Sequence, residues 1–160
     1  MEKNIRFATE NDVEFIFEMI KELAVYEKAA DKVETSIEQI REDGFGEKAY
    51  YKAVILELDN KAVGMALFYN RYSTWKGKSL YLEDLYIRPE FRGNGLGMMG
   101  MQWLAQYAVE TKCYRFEWQV LDWNEPSIQF YKTLNADLDS EWINCRLEGN
   151  RIQDLANRSL

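Results

Sequence analysis

The order of turn signals and hydrophobic periods predicts a single mixed α/β domain over residues 1–160. Three observations carry this prediction. Apolar runs of strand length alternate with segments of 3.6-residue period, an Asp-Asn pair joins two strands into a hairpin, and a glycine-rich loop stands between a strand and a helix, as in a β-α-β crossover. At 160 residues, 47% hydrophobic and 29% charged, the chain has the composition of an ordinary globular domain.

Ile5 to Ala8 forms the first expected strand, closed by Thr9, a suitable helix cap with Asp12 three positions on. Val13, Ile16, Phe17, Ile20, Leu23 and Ala24 then recur at helical spacing, so residues 10–28 are expected to form an amphipathic helix. A second helix is expected from Thr35 or Ser36 to the stop at Asp43-Gly44-Phe45-Gly46. Tyr50 to Leu58 and Ala62 to Tyr69 make a hairpin around Asp59-Asn60, followed by a loop through Trp75-Lys76-Gly77-Lys78. Ser79 to Ile87 is a third apolar strand, interrupted in its middle by Glu83-Asp84.

After Pro89, the loop Arg92-Gly93-Asn94-Gly95-Leu96-Gly97 opens a helix whose apolar positions Leu96, Met99, Trp103, Leu104 and Tyr107 keep helical period to about Lys112. Tyr114 to Leu121 is another strand, and Asn124 caps a helix with Pro126 in its first turn that runs to about Leu134. Trp142 to Leu147 is expected as the closing strand.

Composition narrows the chemistry. The chain has no histidine, which excludes Ser-His-Asp and Cys-His catalytic units and any imidazole metal site. A general base must therefore be a carboxylate, tyrosine, lysine or water. Cys113 and Cys145 follow no metal spacing and are expected as reduced core residues; no metal is expected. The net charge of −7 disfavours nucleic acid, which demands a basic face. Residues 1–47 hold 6 Lys/Arg against 13 Asp/Glu, so the whole acidic excess is N-terminal and would concentrate a cationic small molecule there. No apolar run approaches the ~20 residues of a membrane span, and the acidic start lacks a signal-peptide core. A soluble cytoplasmic protein with no membrane partner is expected.

The glycine loop presents backbone N–H groups at the positive end of a helix, a ready phosphate site. A dinucleotide fingerprint would need a small residue where Met98 stands, and no Gly-Lys-Ser/Thr follows for a P-loop. Arg92-x-x-Gly95-x-Gly97 instead resembles the pyrophosphate motif of the GNAT superfamily of acetyl-CoA-dependent N-acetyltransferases. Further stretches, Lys21-Glu22-Leu23-Ala24-x-Tyr26-Glu27, Tyr72-Ser73-Thr74-Trp75-Lys76-Gly77, Tyr81-Leu82-Glu83-Asp84 and Trp123-Asn124-Glu125-Pro126-Ser127 with Phe130-Tyr131-Lys132, resemble the diamine and thialysine acetyltransferase branch.

The resemblance implies a mostly antiparallel sheet flanked by helices, with a bulge at Glu83 and a splay between that strand and the one at Tyr114. In the gap the pantetheine arm of acetyl-CoA would hydrogen-bond the backbone around Leu85, Tyr86 and Ile87, with residues 92–98, from Arg92 through Asn94 to Met98, on the pyrophosphate. It also places Asn124, Glu125, Pro126 and Ser127 at the cofactor, Tyr131 beside its sulfur as general acid, and Glu83 as base, acting directly or through water. Tyr26, Glu27 and Glu83 would line the amine site, with Glu117-Trp118-Gln119 as a further wall. The base has a sizeable task, since an amine of pKa near 10 is about one part in a thousand neutral at pH 7. Ser73 stands where some polyamine-acting relatives carry an acid, which favours a lysine-like acceptor.

The expected reaction is direct transfer of acetyl from acetyl-CoA to a primary amine of a small cation, either a thialysine- or lysine-like amine or a diamine or polyamine, without an acyl-enzyme. A homodimer is expected from the resemblance. Two other readings stay open: a protein or peptide N-acetyltransferase, and a non-catalytic acyl-CoA-binding module.

Overall fold

A computed structural model describes residues 1–159. The element order is β1 (Lys3–Phe7), α1 (Val13–Tyr26), α2 (Ile37–Phe45), β2 (Lys52–Leu58), β3 (Lys61–Ser73), β4 (Gly77–Ile87), α3 (Leu96–Glu110), β5 (Arg115–Trp118), α4 (Glu125–Thr133) and α5 (Asn150–Ala156), with 3-10 turns at Glu10–Asp12, Ala30–Lys32 and Pro89–Phe91. Residues 1–121 and 122–160 make two compact units, described separately.

In the first unit the five strands lie in chain order, β1-β2-β3-β4-β5. The first three pairings are antiparallel and β4–β5 is parallel, the one that needs the α3 crossover. The mixed α/β sheet is the expected class. Asp59 and Asn60 both take positive φ (50° and 63°), the geometry that lets a two-residue turn follow the twist of β2 and β3. Gly64 of β3 lies so close to β4 that a Cβ there would stand 2.6 Å from the Tyr86 carbonyl oxygen.

Strand alternation gives the sheet two unlike faces. Ile55, Met65, Leu67 and Tyr86 point to the side of α1 and α2 and pack with Val13, Ile16, Met19 and Ile40. Leu56, Leu58, Val63, Leu85 and Ile87 point the other way, to Leu96 and Met99 of α3. Phe68 continues that second face, with ring centroids 6.0 Å from Trp103 and 5.3 Å from Tyr107. Val13, Ile16 and Met19 are fully buried, each worth about 1.5 to 3 kcal/mol of transfer free energy. Arg6 ties β1 to the start of α1 and to β2, reaching Asp12 and Glu57, both at 2.8 Å.

Several expectations are corrected. The long first helix begins as a 3-10 turn at 10–12, where Asp12 accepts from the Thr9 amide at 2.8 Å, and turns α-helical at Val13. The hairpin after Tyr69 is longer than expected: β3 continues to Ser73 and β4 begins at Gly77, with φ +84°. β5 stops at Trp118 instead of Leu121. In the second unit the expected strand Trp142 to Leu147 does not form; the segment is irregular, and Trp142 and Ile143 are exposed. Its alternating side chains have a strand period, but no strand pairs with it among the described residues. The helix α5 that follows was not expected. Cys113 and Cys145 are free thiols as expected, but neither is a core residue: Cys113 is half-buried and Cys145 exposed. Among the described residues no helix is long and apolar enough to cross a membrane.

Candidate active site

The site grows from one irregularity in β4. Leu67 pairs with Asp84 and Phe68 with Leu82, so Glu83 is an extra residue, a β-bulge. Without it Glu83 and Asp84 would face opposite sides. With it, Tyr81 and Asp84 share the α1 face, as their partners Tyr69 and Leu67 do, and the Tyr69 hydroxyl donates to Glu83 Oε2 at 2.7 Å. The charged pair that interrupts the apolar strand is therefore gathered on one face. Beyond Leu82 the β4–β5 ladder also ends, its last pair being Leu82 with Trp118. The splay expected at the central strands thus begins where the bulge does.

A third carboxylate comes from α1. Glu27 follows the helix at its C-cap, at the negative end of the dipole, where an acid is disfavoured. Burial and then the charge of Glu83 raise its pKa. Asp84 is affected more strongly: burial, then Glu83 and Glu27, push it up to about 7. The Tyr69 and Tyr81 phenols are also raised, first by burial, and Tyr69 next by its hydrogen bond to Glu83. Both hydroxyls stay protonated at neutral pH, available as donors to the carboxylates. Perturbed acids gathered beside a break in a sheet mark a functional site better than a structural one.

Farther along the same face, Arg71 lies over the Tyr81 ring at 4.8 Å and 3.9 Å from Glu117, which Arg115 also holds at 3.1 Å. Alternation puts Glu117 on the face of Tyr81 and Trp118 on the opposite face, with Leu82; Gln119 lies just past the end of β5. Tyr26, the last residue of α1, meets the Arg92 guanidinium at 5.1 Å from its ring centroid.

At the C-terminal end of β4, Leu85 and Ile87 belong to the α3 face and Tyr86 to the α1 face. Arg92 Nε donates to the Ile87 carbonyl at 2.8 Å, and its guanidinium also covers Tyr86. Gly93 and Gly95 take φ of +79° and +76°, and Gly95 caps α3. A Cβ on Gly93 would meet nothing within 4 Å, so the loop presents open backbone. The Asn94 amide closes it by donating to Phe91 O at 3.1 Å, while Leu96, Gly97 and Met98 form the first turn of the helix. These features fit a pyrophosphate: positive-φ glycines, exposed amides, a helix dipole and an adjacent guanidinium.

In the second unit, Asn124 caps α4, its side chain accepting from the Ser127 amide at 3.4 Å, with Glu125 and Pro126 in the first turn. Tyr131 is one further turn along the face of Asn124 and Ser127, its ring centroid 5.4 Å from that of Phe130. Among the described residues no group of three or more acids and cysteines could hold a metal ion.

Sequence reasoning missed Tyr69 and Arg71 and gave Asp84 no role. Their signal was the two-residue period of β3, which becomes informative only when its register against β4 is known.

A glycine-loop crossover beside a bulged strand with clustered acids fits a class of enzymes that bind an acyl thioester through its pyrophosphate and pass the acyl group to an amine, releasing the thiol. The model of the acetyltransferase (GNAT) family matches residues 14–136, and the chain belongs to that family. It is an acetyltransferase, and members of the family take the acetyl group from acetyl-CoA. The chain is 41% identical to the thialysine N-epsilon-acetyltransferase of Sus scrofa, over 96% of this chain and 97% of that one. It is 35% identical to the human spermidine/spermine N(1)-acetyltransferase-like protein 1, over 95% of this chain and 23% of that one. An integron cassette protein of Vibrio cholerae shares the fold, with a TM-score of 0.80 and 24% identity over 99% of both chains.

Proposed function

We propose that the protein transfers acetyl from acetyl-CoA to a primary amine of a small, lysine-like cation. The observation that carries this reading is the bulge, which gathers Glu83 and Asp84 with Glu27 where β4 and β5 part. Two relatives that align over nearly the whole of this chain are named a thialysine N-epsilon-acetyltransferase and a spermidine/spermine N(1)-acetyltransferase-like protein, and the acceptors in those names are cationic amines. The family match runs across residue 121, which supports one acetyltransferase domain built from both units.

Acetyl-CoA supplies a thioester carbonyl open to attack by a neutral amine. The residues of this chain do the rest. Gly93 to Met98 bind the pyrophosphate through backbone amides, and Arg92 adds its charge. The backbone from Leu85 to Ile87 orients the pantetheine arm, and Asn124 and Ser127 are assigned to the cofactor by their motif positions. The carboxylates attract the acceptor as an ammonium ion, and the Glu83/Asp84 pair accepts its proton. Asp84, pushed up to about 7 by burial and by the charges of Glu83 and Glu27, is matched to neutral pH. Tyr131 donates a proton to the departing thiolate, a role carried by its motif position. Reduced Cys113 and Cys145 fit a cytoplasmic location, and the exposed Trp142 and Ile143 fit a subunit contact in a homodimer.

The test is thiol release from acetyl-CoA with a panel of thialysine, lysine, spermidine and a short lysine peptide. Thialysine should be the best acceptor and spermidine weaker. Turnover confined to the peptide would establish a protein acetyltransferase instead. CoA binding without release from any acceptor would leave only a binding module.

A further inference from the structure

The amine face of the sheet is bipolar. Glu27, Glu83 and Asp84 gather at its inner end. Its outer end carries two guanidiniums for one carboxylate, since Glu117 is shared between Arg115 at 3.1 Å and Arg71 at 3.9 Å. Arg71 is half exposed at 53%, and its longer, weaker contact to Glu117 leaves donors for another acceptor. The Tyr81 ring beneath it fixes where its plane lies, 4.8 Å from the centroid.

The spacing of the two ends is set by β3. Tyr69, which holds Glu83, and Arg71 are two residues apart on one face, an advance of about 7 Å. An extended lysine or thialysine separates its side-chain amine from its α-carboxylate by six bonds, roughly 7 to 8 Å. A ligand with an ammonium at one end and an amino-acid head at the other matches both poles: its carboxylate meets Arg71 and its α-ammonium meets Glu117.

We infer that Arg71 is the specificity-determining residue of this site, that it binds the α-carboxylate of a diamino acid acceptor, and that it disfavours diamines and polyamines of similar length. The inference rests on the acetyltransferase reading of the same site and goes beyond it by naming the residue that selects the acceptor and the group on the acceptor that it reads. A diamine brings the same second ammonium without the carboxylate that neutralises it beside Arg71, so it meets uncompensated like charge and is discriminated against. Arg71 does not touch the reacting amine. Its effect belongs in KM for carboxylate-bearing acceptors more than in kcat.

The experiment compares thialysine with bis(2-aminoethyl) sulfide, which lacks only the carboxylate, and lysine with cadaverine. For the wild type, kcat/KM should favour each amino acid by about 10- to 100-fold, as expected for a charge-assisted carboxylate–guanidinium contact. Arg71→Gln should bring both ratios to within about threefold of unity, mainly by raising KM for the amino acids. Arg71→Lys should restore part of the preference, and Arg71→Glu should reverse it. The calorimetric Kd for acetyl-CoA and the melting temperature of each variant distinguish a folding defect from lost recognition. Arg71→Gln with unchanged ratios would overturn the assignment while leaving the acetyltransferase reading intact. A wild type that releases thiol with none of the four acceptors would overturn both.

Discussion

Replacing Asp84 with asparagine should make the protein more stable in proportion to pH while disabling it. In the folded protein the carboxyl titrates near 7, held there by burial and by Glu83 and Glu27, against an ordinary 3.8. The folded state therefore keeps a proton that the unfolded chain has released. Such a raised acid contributes stability that is fully present below the unfolded value and lost as pH rises through the folded one. Between about pH 5 and pH 8 the wild type should lose up to ~2.7 kcal/mol through this group alone, each unit of unmatched proton binding being worth ~1.4 kcal/mol. Asp84 is partly open to water, which offsets some of the penalty, so about 2 kcal/mol is the expected loss. The Asp84→Asn variant has no titrating group at this position and so no such dependence. The difference in melting temperature, variant minus wild type, should grow by about 4 to 8 °C over that interval. Scanning calorimetry or fluorescence melts at four pH values measure it, and using the change in the difference removes any constant effect of the substitution. A difference that stays flat with pH would refute the burial and charge coupling assigned to Asp84, and with them its place in the proton-accepting pair.

Three other outcomes are expected. Gly95→Val should weaken acetyl-CoA binding more than tenfold, because Gly95 sits at φ +76° and a β-branched side chain there distorts the amide cradle; calorimetry with an unchanged Kd would remove that loop from the cofactor site. Tyr131→Phe should lower turnover by about 10²- to 10⁴-fold with cofactor affinity retained, and near-full turnover in a chemistry-limited assay would return Tyr131 to a packing role. Glu83→Gln should depress kcat/KM most at low pH and least for acceptors of low amine pKa, whereas equal losses at every pH and for every acceptor would mark Glu83 as structural.

Much of this arrangement was legible in the sequence. The glycine loop, the capping residues Asn124 and Ser36 and the Asp59-Asn60 turn each act through neighbouring backbone, so local spacing identifies them. The interruption at Glu83-Asp84 shows that the strand is irregular, because two acids inside an apolar strand need a reason, and the bulge itself comes from the family resemblance. Arg71 and Tyr69 looked like ordinary surface positions, since their meaning comes from strands paired through non-local register. Trp142 to Leu147 has a strand's alternation without a partner strand, and period alone cannot supply one. Asp84 is legible only as half of the interruption it makes with Glu83. Its elevated pKa comes from burial first, then from Glu83 and from Glu27, and neither the burial nor a neighbour 57 positions away in the chain can be read from local spacing.

The uninterrupted stretch from β2 to β4 also has a kinetic consequence. Residues 52–87 form three antiparallel strands joined by short turns, whereas β5 pairs in parallel and only over four residues after the α3 crossover. Local pairing closes small loops early and crossover pairing closes large ones late. Tyr69, Arg71, Tyr81, Glu83 and Asp84 all lie on the single hairpin of β3 and β4, so most of the charged floor is assembled while the rest of the chain is still collapsing. Glu117 and Arg115 arrive last, with β5. Substitutions on that hairpin should therefore slow folding, and substitutions on β5 should chiefly hasten unfolding. The order in which the chain condenses puts the bulge with its carboxylates in place before β5 adds Glu117 and Arg115 to the far end of the same face.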